Sequence, residues 1–254
     1  MKTTDKYSPS LLKHLNQGDT LTAAAEKRRA VMRTMRFDTV AVHGLYNMQA
    51  ALANQGSIIE PTYLSPAQHF EDSDHMEAAL ANLMPSWVYS RFANPTQHFL
   101  EETIALLETY GGECRATACV TASGMAAIFM ATDPFLSGTQ PMNIVASAKC
   151  YGGTFMLFQE RYGKERGVEI RWVIDPLNLE EWARQIDDNT RFLYGEVPSN
   201  PGLEMLDIES TASLAHENGC PLIIDSTIAT PALLRPLCKG ADIVVHSLSK
   251  SITS

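Results

Sequence analysis

Basic residues are few: 20 Lys and Arg stand against 29 Asp and Glu, a formal net charge of −9. Nucleic acid and anionic membrane surfaces both select concentrated Lys and Arg, and no basic stripe is present, so neither is an expected partner. No apolar run approaches the roughly 20 residues that a membrane helix needs. The start, with Lys2, Lys6 and Lys13 among polar residues, does not read as a secretory leader. Cysteine is sparse and odd in number, five in all, with no CxxC pair and no Cys/His cluster at metal-ligand spacing. A reduced, cytoplasmic chain without a metal site is the expectation. The signatures GxGxxG and GxxxxGK followed by Ser or Thr are also missing, which disfavours a dinucleotide or a nucleoside triphosphate.

With 254 residues, 45% of them hydrophobic, the chain can bury a sizeable core. Residues 1–36 are expected to form a helical extension, with a capped amphipathic helix over Thr20–Met32. Residues 37–95 read as an arm on its own or a neighbouring subunit, extended around Gly56–Pro66, where Pro61 and Pro66 bias the preceding residues away from helix. Thr96 is placed to cap the helix that follows.

Residues 96–254 alternate. Helices are predicted at Phe99–Glu108, Ser123–Ala131, Gly153–Tyr162, Leu179–Ile186 and Ile208–Asn218. Strands are predicted at Arg115–Thr121, Asn143–Ser147, Val168–Val173, Arg191–Glu196, Pro221–Asp225 and from Ala241 toward Lys250. This βα series implies an α/β fold, a doubly wound and mostly parallel sheet flanked by helices, with right-handed crossovers.

In such a sheet the ligand crevice lies outside the carboxyl ends of the strands, which brings Asp225, Ser247, Ser249 and Lys250 to one rim. A lysine amine, a carboxylate and two hydroxyls suit pyridoxal 5'-phosphate (PLP): an amine for its aldehyde, an anion for its ring nitrogen, donors for its phosphate. Taken singly, Lys250 also reads as a surface loop lysine and Asp225 as a helix cap. The remaining parts follow in usable order. Thr121–Ala127 joins strand to helix through Ser123-Gly124, with free amides and the positive helix end facing the crevice, or is an ordinary capped helix start. Tyr151 precedes Gly152-Gly153 and either stacks on a heterocycle or belongs to a plain glycine turn. Asn200 either donates to a phenolate oxygen or marks an Asn-Pro turn. Tyr89 and Arg91, two apart, share a side if extended and either clamp a phosphate or lie on the surface.

The ordered set Tyr89-Ser-Arg-x-x-Asn-Pro-Thr, Ser123-Gly-Met, Tyr151-Gly-Gly-Thr, Pro198-Ser-Asn-Pro, Asp225-x-Thr-x-Ala-Thr-Pro and Gly240-Ala-Asp-Ile-Val-Val-His-Ser-x-Ser-Lys250 resembles the Cys/Met-metabolism PLP enzymes. These include cystathionine γ-synthase, O-acetylhomoserine sulfhydrylase and the cystathionine and methionine γ-lyases. The resemblance implies the large domain of an aspartate aminotransferase-like fold, with a C-terminal domain absent from this sequence. Lys250 would bond to the cofactor and then move protons as the catalytic base. Asp225 would face the pyridine nitrogen, Tyr151 the ring and Asn200 its O3′. The Gly124 and Met125 amides beside Ser123, with the Ser247 and Ser249 hydroxyls, would hold the phosphate. Tyr89 and Arg91 would reach the phosphate of a neighbouring subunit in a homodimer or homotetramer. The expected activity is γ-replacement or γ-elimination on a small homoserine-derived or sulfur amino acid, with Gly153 and the Gly240–Ser247 run tilting it toward sulfhydrylase or γ-synthase chemistry. The alternatives are a γ-lyase, or a catalytically incomplete chain active only in subunit association.

Overall fold

A computed structural model describes residues 7–138 and 140–253. Lys2 and Lys6, read above as part of the chain's start, lie outside the described residues. The chain divides into two compact units, Met1–Tyr110 and Gly111–Ser254.

The first unit is helical. α1 (Pro9–Met32) begins earlier than the periodicity of Thr20–Met32 suggests, because Ser8 and Pro9 build a start signal: the Ser8 hydroxyl accepts the Leu11 amide at 3.0 Å, and proline occupies the first turn, where its missing N–H costs nothing. Short helices α2 (Phe37–His43), α3 (Met48–Ala53) and α4 (Ser73–Leu80) follow, then α5 (Pro95–Glu108). Leu11 on α1 packs with Ala78 on α4 and with Met84, and the Arg29 guanidinium grips the Glu102 carboxylate at 2.5 and 2.7 Å, tying α1 to α5. A second cluster joins Val40, Leu45, Leu106 and Leu107. The segment from Glu60 to Leu64, which contains Pro61, has neither helix nor strand.

One capping expectation is corrected here. Asn94, not Thr96, caps α5: its Oδ1 accepts the Thr96 amide at 2.9 Å, while the Thr96 hydroxyl accepts the Tyr63 amide at 2.9 Å. Asn94 also donates to the Tyr63 carbonyl at 3.0 Å, so the two residues fasten the extended segment to the head of α5.

The second unit is a five-stranded, fully parallel sheet in the order β2-β1-β3-β4-β5. Its strands are β1 (Asn143–Ser147), β2 (Glu169–Val173), β3 (Thr190–Glu196), β4 (Leu222–Asp225) and β5 (Ile243–Val245). The helices are α6 (Gly124–Thr132), α7 (Gly152–Met156), α8 (Leu179–Gln185), α9 (Ile208–Glu217) and the short α10 (Thr230–Leu233). α7 runs on into a π-wound stretch, Leu157–Lys164, that buries Phe158 and Tyr162. Strand residues alternate between two covered faces. Val145, Leu193, Leu222 and Ile224 pack with Trp182 and α9, whereas Ile144, Ala146, Phe192, Tyr194 and Ile223 pack with Phe158 and Tyr162. Each such side chain taken fully out of water stabilises the fold by roughly 1.5–3 kcal/mol before entropy is counted, which is why these strands read as unbroken apolar runs.

Two strand expectations change. Arg115–Thr121 is extended and alternates between exposed and half-buried positions, but it joins no ladder among the described residues, and a strand pattern without a pairing edge forms no sheet. The Ala241–Lys250 run is a strand only over Ile243–Val245. The Ser226 amide takes the Val245 carbonyl at 3.0 Å, and the Ser247 amide is then diverted to the Thr227 hydroxyl at 2.8 Å, so the chain leaves the ladder just where its polar residues begin.

Candidate active site

In the strand order, connections run one way from β1 to β2 and the other way from β3 onward, which puts the topological switch point between β1 and β3. A cleft of about 360 Å³ opens at the carboxyl ends of these strands, within the usual range for small-ligand sites. It is lined by Ser123, Gly124 and Met125 from the head of α6, Tyr151 after β1, Asn200 after β3, Asp225 at the end of β4, and Ser247, Ser249 and Lys250 after β5. Tyr89 and Arg91 belong to the first unit. Tyr89 forms an isolated antiparallel bridge with Ala67, and the chain turns immediately after it, with the Phe92 amide donating to the Tyr89 carbonyl at 2.8 Å, so that Arg91 lies in a turn rather than an extended run. The Arg91 guanidinium lies 5.1 Å from the centre of the Tyr89 ring and 5.5 Å from that of Phe92. The pair is therefore joined by cation–π contact, not by strand geometry.

At the phosphate-sized end, Ser123 caps α6, its hydroxyl accepting the Ala126 amide at 3.1 Å, which leaves the earlier amides of the first turn pointing outward. Gly124 is required by close approach: a Cβ there would stand 2.7 Å from Ser247 Cβ. The cradle thus closes only because residue 124 has no side chain. The Ser247 and Ser249 hydroxyls are 3.2 Å apart, and the exposed Lys250 amine donates to Ser249 Oγ at 3.4 Å. Helix-end amides and paired hydroxyls form an anion seat of the kind a phosphomonoester fills.

Asp225 is almost wholly buried, and burial raises its pKa. The hydrogen bonds its Oδ1 accepts come from the Thr227 amide at 3.0 Å and hydroxyl at 2.6 Å, neither of them a cation. A protonated ring nitrogen placed against this carboxylate would supply the opposite charge that burial withholds. By charge and by shape, then, the residues present fit PLP.

Two residues that carry this arrangement were not assigned roles from the sequence. Thr227 bridges the halves of the site, since its hydroxyl donates to Asp225 and accepts the Ser247 amide. The Asp-x-Thr spacing of a side chain bonding the backbone two residues on is the signal that points to it. Glu196 pairs in register with Asp225 across β3 and β4, and its carboxylate accepts the Tyr151 amide at 2.5 Å and the Asn200 amide. It therefore fastens the Tyr151 loop and the Asn200 loop to the same carboxylate.

Burial, then the neighbouring Asp225 charge, raises the Glu196 pKa to about 7. For a carboxyl raised from 4.5, the folded chain binds more protons than the unfolded chain between those values, so stability falls as pH rises through that window. Comparing cofactor-free wild type with Glu196→Gln by denaturant unfolding from pH 5 to 8 should show wild type losing on the order of 2–3 kcal/mol more than the variant. Parallel pH profiles would contradict it.

A sheet wound around a switch point, with an amine, a buried carboxylate and an anion seat at its rim, defines the PLP-dependent class of α/β enzyme. A family model described as Cys/Met metabolism PLP-dependent enzyme matches residues 38–253, and the chain belongs to that family. It is 40% identical over 219 residues to the O-acetyl-L-homoserine sulfhydrylase of Corynebacterium glutamicum, a match covering 85% of this chain and 47% of the relative. Among solved structures, a Campylobacter jejuni protein carrying N′-pyridoxyl-lysine-5′-monophosphate matches with a TM-score of 0.73 and 35% identity, over 85% of this chain and 51% of that one. The cystathionine γ-lyase of Lactobacillus plantarum matches with a TM-score of 0.71 and 31% identity, over 85% and 51%. The chain spans about half the length of the relatives it matches. Among the described residues no helix is long and apolar enough to cross a membrane.

Proposed function

We propose that this chain supplies the cofactor-binding part of a PLP enzyme that replaces or eliminates a γ-substituent on a homoserine-derived or other sulfur amino acid, of the sulfhydrylase or cystathionine γ-synthase type. The observation that carries the proposal is the convergence of Lys250, Asp225 and the Ser123–Met125 and Ser247–Ser249 anion seat on one cleft at the switch point. When bound, PLP supplies an electron sink that makes the substrate's α-proton removable.

The chain's own groups do the rest. The Lys250 amine is the nucleophile for the cofactor's aldehyde. The same amine, tethered at the cleft, would serve as the base, so that proton transfer needs no second encounter. The buried Asp225 carboxylate would keep the ring nitrogen protonated, and Thr227 fixes which way that carboxylate faces. Gly124 and Met125 amides with Ser247 and Ser249 hydroxyls anchor the phosphate. Tyr151, which lies over Gly153, would cover the cofactor's ring, and Asn200, which lines the same cleft, would serve its phenolate oxygen. Tyr89 and Arg91 act toward the phosphate of a second subunit, which makes the working form a homodimer or homotetramer in the cytoplasm.

The test is an assay of the protein supplied with PLP. Sulfide-dependent formation of homocysteine from an O-acylhomoserine is the expected result. A keto acid released from cysteine, cystathionine or methionine without an added acceptor would instead assign a lyase. Protein that associates yet neither binds PLP nor turns over would leave subunit association as its role.

A further inference from the structure

We propose that Cys114 and Cys238 are an oxidisable pair that closes into a disulfide when the chain meets a low-molecular-weight disulfide. The two residues are 124 apart in sequence, yet their sulfurs stand 2.8 Å from one another, within about 1 Å of the bonded S–S distance of about 2.05 Å. Both are thiols here, Cys238 exposed and Cys114 half-buried. Gly112 provides the space: a Cβ at that position would lie 2.7 Å from Cys238 Sγ and 3.4 Å from Cys114 Sγ.

The other cysteines behave differently. Cys150 and Cys220 are buried, and burial pushes both thiols up, Cys150 to about 12, so they offer little thiolate. Cys119 is exposed and serves as an internal control.

In the reaction, the Cys238 thiolate attacks one sulfur of the small disulfide and breaks its S–S bond, and one half leaves as a thiol. Cys114 then loses its proton and attacks the Cys238 sulfur of the mixed disulfide, expelling the second half. Two electrons pass from the protein to the reagent, and the protons of both protein thiols end on the two small thiols. The resulting link would join the segment leading into Ser123-Gly124 to the turn leading through β5 into Ser247–Lys250. It would close a long loop without involving a residue that lines the cleft, and it would stabilise the fold chiefly by constraining the unfolded chain.

The experiment treats the whole chain with glutathione disulfide, blocks remaining thiols with N-ethylmaleimide and maps unreduced peptides by mass spectrometry. The expected result is a dominant Cys114–Cys238 peptide, two hydrogens lighter than its reduced parts, within a single chain and reversed by dithiothreitol. Cys119 should be blocked or glutathionylated, and Cys150 and Cys220 blocked only after unfolding. Recovery of Cys114 and Cys238 as separate adducts, or linked between two chains, would overturn the proposal. The wild-type measurement needs no variant and no cofactor, so it stands apart from the PLP reading; Cys238→Ser should abolish the linked peptide.

Discussion

Replacing Lys250 by alanine is expected to lower turnover by at least roughly 10³-fold while leaving thermal stability within about 0.5 kcal/mol of wild type. The split follows from where the side chain sits. It is exposed, and the hydrogen bond of its amine to Ser249 Oγ, at 3.4 Å, is long. Its removal leaves no cavity and no buried group unpaired. Among the described residues that line the cleft it is the only amine, so under the proposed function both the covalent hold on the cofactor and the proton transfer would go with it. Turnover under saturating substrate, beside a denaturant melt, measures both halves. A variant with wild-type turnover would remove Lys250 from the mechanism.

The second large effect is at Asp225. Substitution by asparagine should reduce turnover roughly 10- to 10³-fold, the loss that follows when an opposite charge worth about 1–3 pKa units no longer holds a ring nitrogen protonated. Cofactor-free stability near neutral pH should hold or rise, because Asn keeps the shape while removing a carboxylate whose ionised form burial disfavours. The opposite signs separate an electrostatic role from a structural one. If stability fell together with activity, Asp225 would be a packing residue.

The parallel sheet was legible because its strands are buried on both faces and so print as apolar runs: Asn143–Ser147 has the predicted bounds, and β2 to β4 are displaced by a residue at one end. Arg115–Thr121 has a strand-like alternation but pairs with no strand among the described residues, and pairing is a tertiary fact that no local pattern contains. The polar ends of β4 and β5 could be read as a site because the carboxyl rim of such a sheet collects them. Glu196 could not. Its role depends on the register that sets it beside Asp225 and on amides that arrive from two loops, none of which leaves a mark in the residue order. The Arg91 turn failed for a related reason: the cation settles on neighbouring rings, a local contact that competes with extension.

The most direct measurement is to bind PLP to the unaltered chain, reduce with borohydride and locate the pyridoxyl group by peptide mapping. The site predicts a single labelled residue, Lys250, with less label fixed when inorganic phosphate, present before the reduction, competes for the Ser123–Met125 and Ser247–Ser249 seat. Label spread over other lysines, such as the exposed Lys13 and the half-buried Lys149, with Lys250 unmodified, would contradict it.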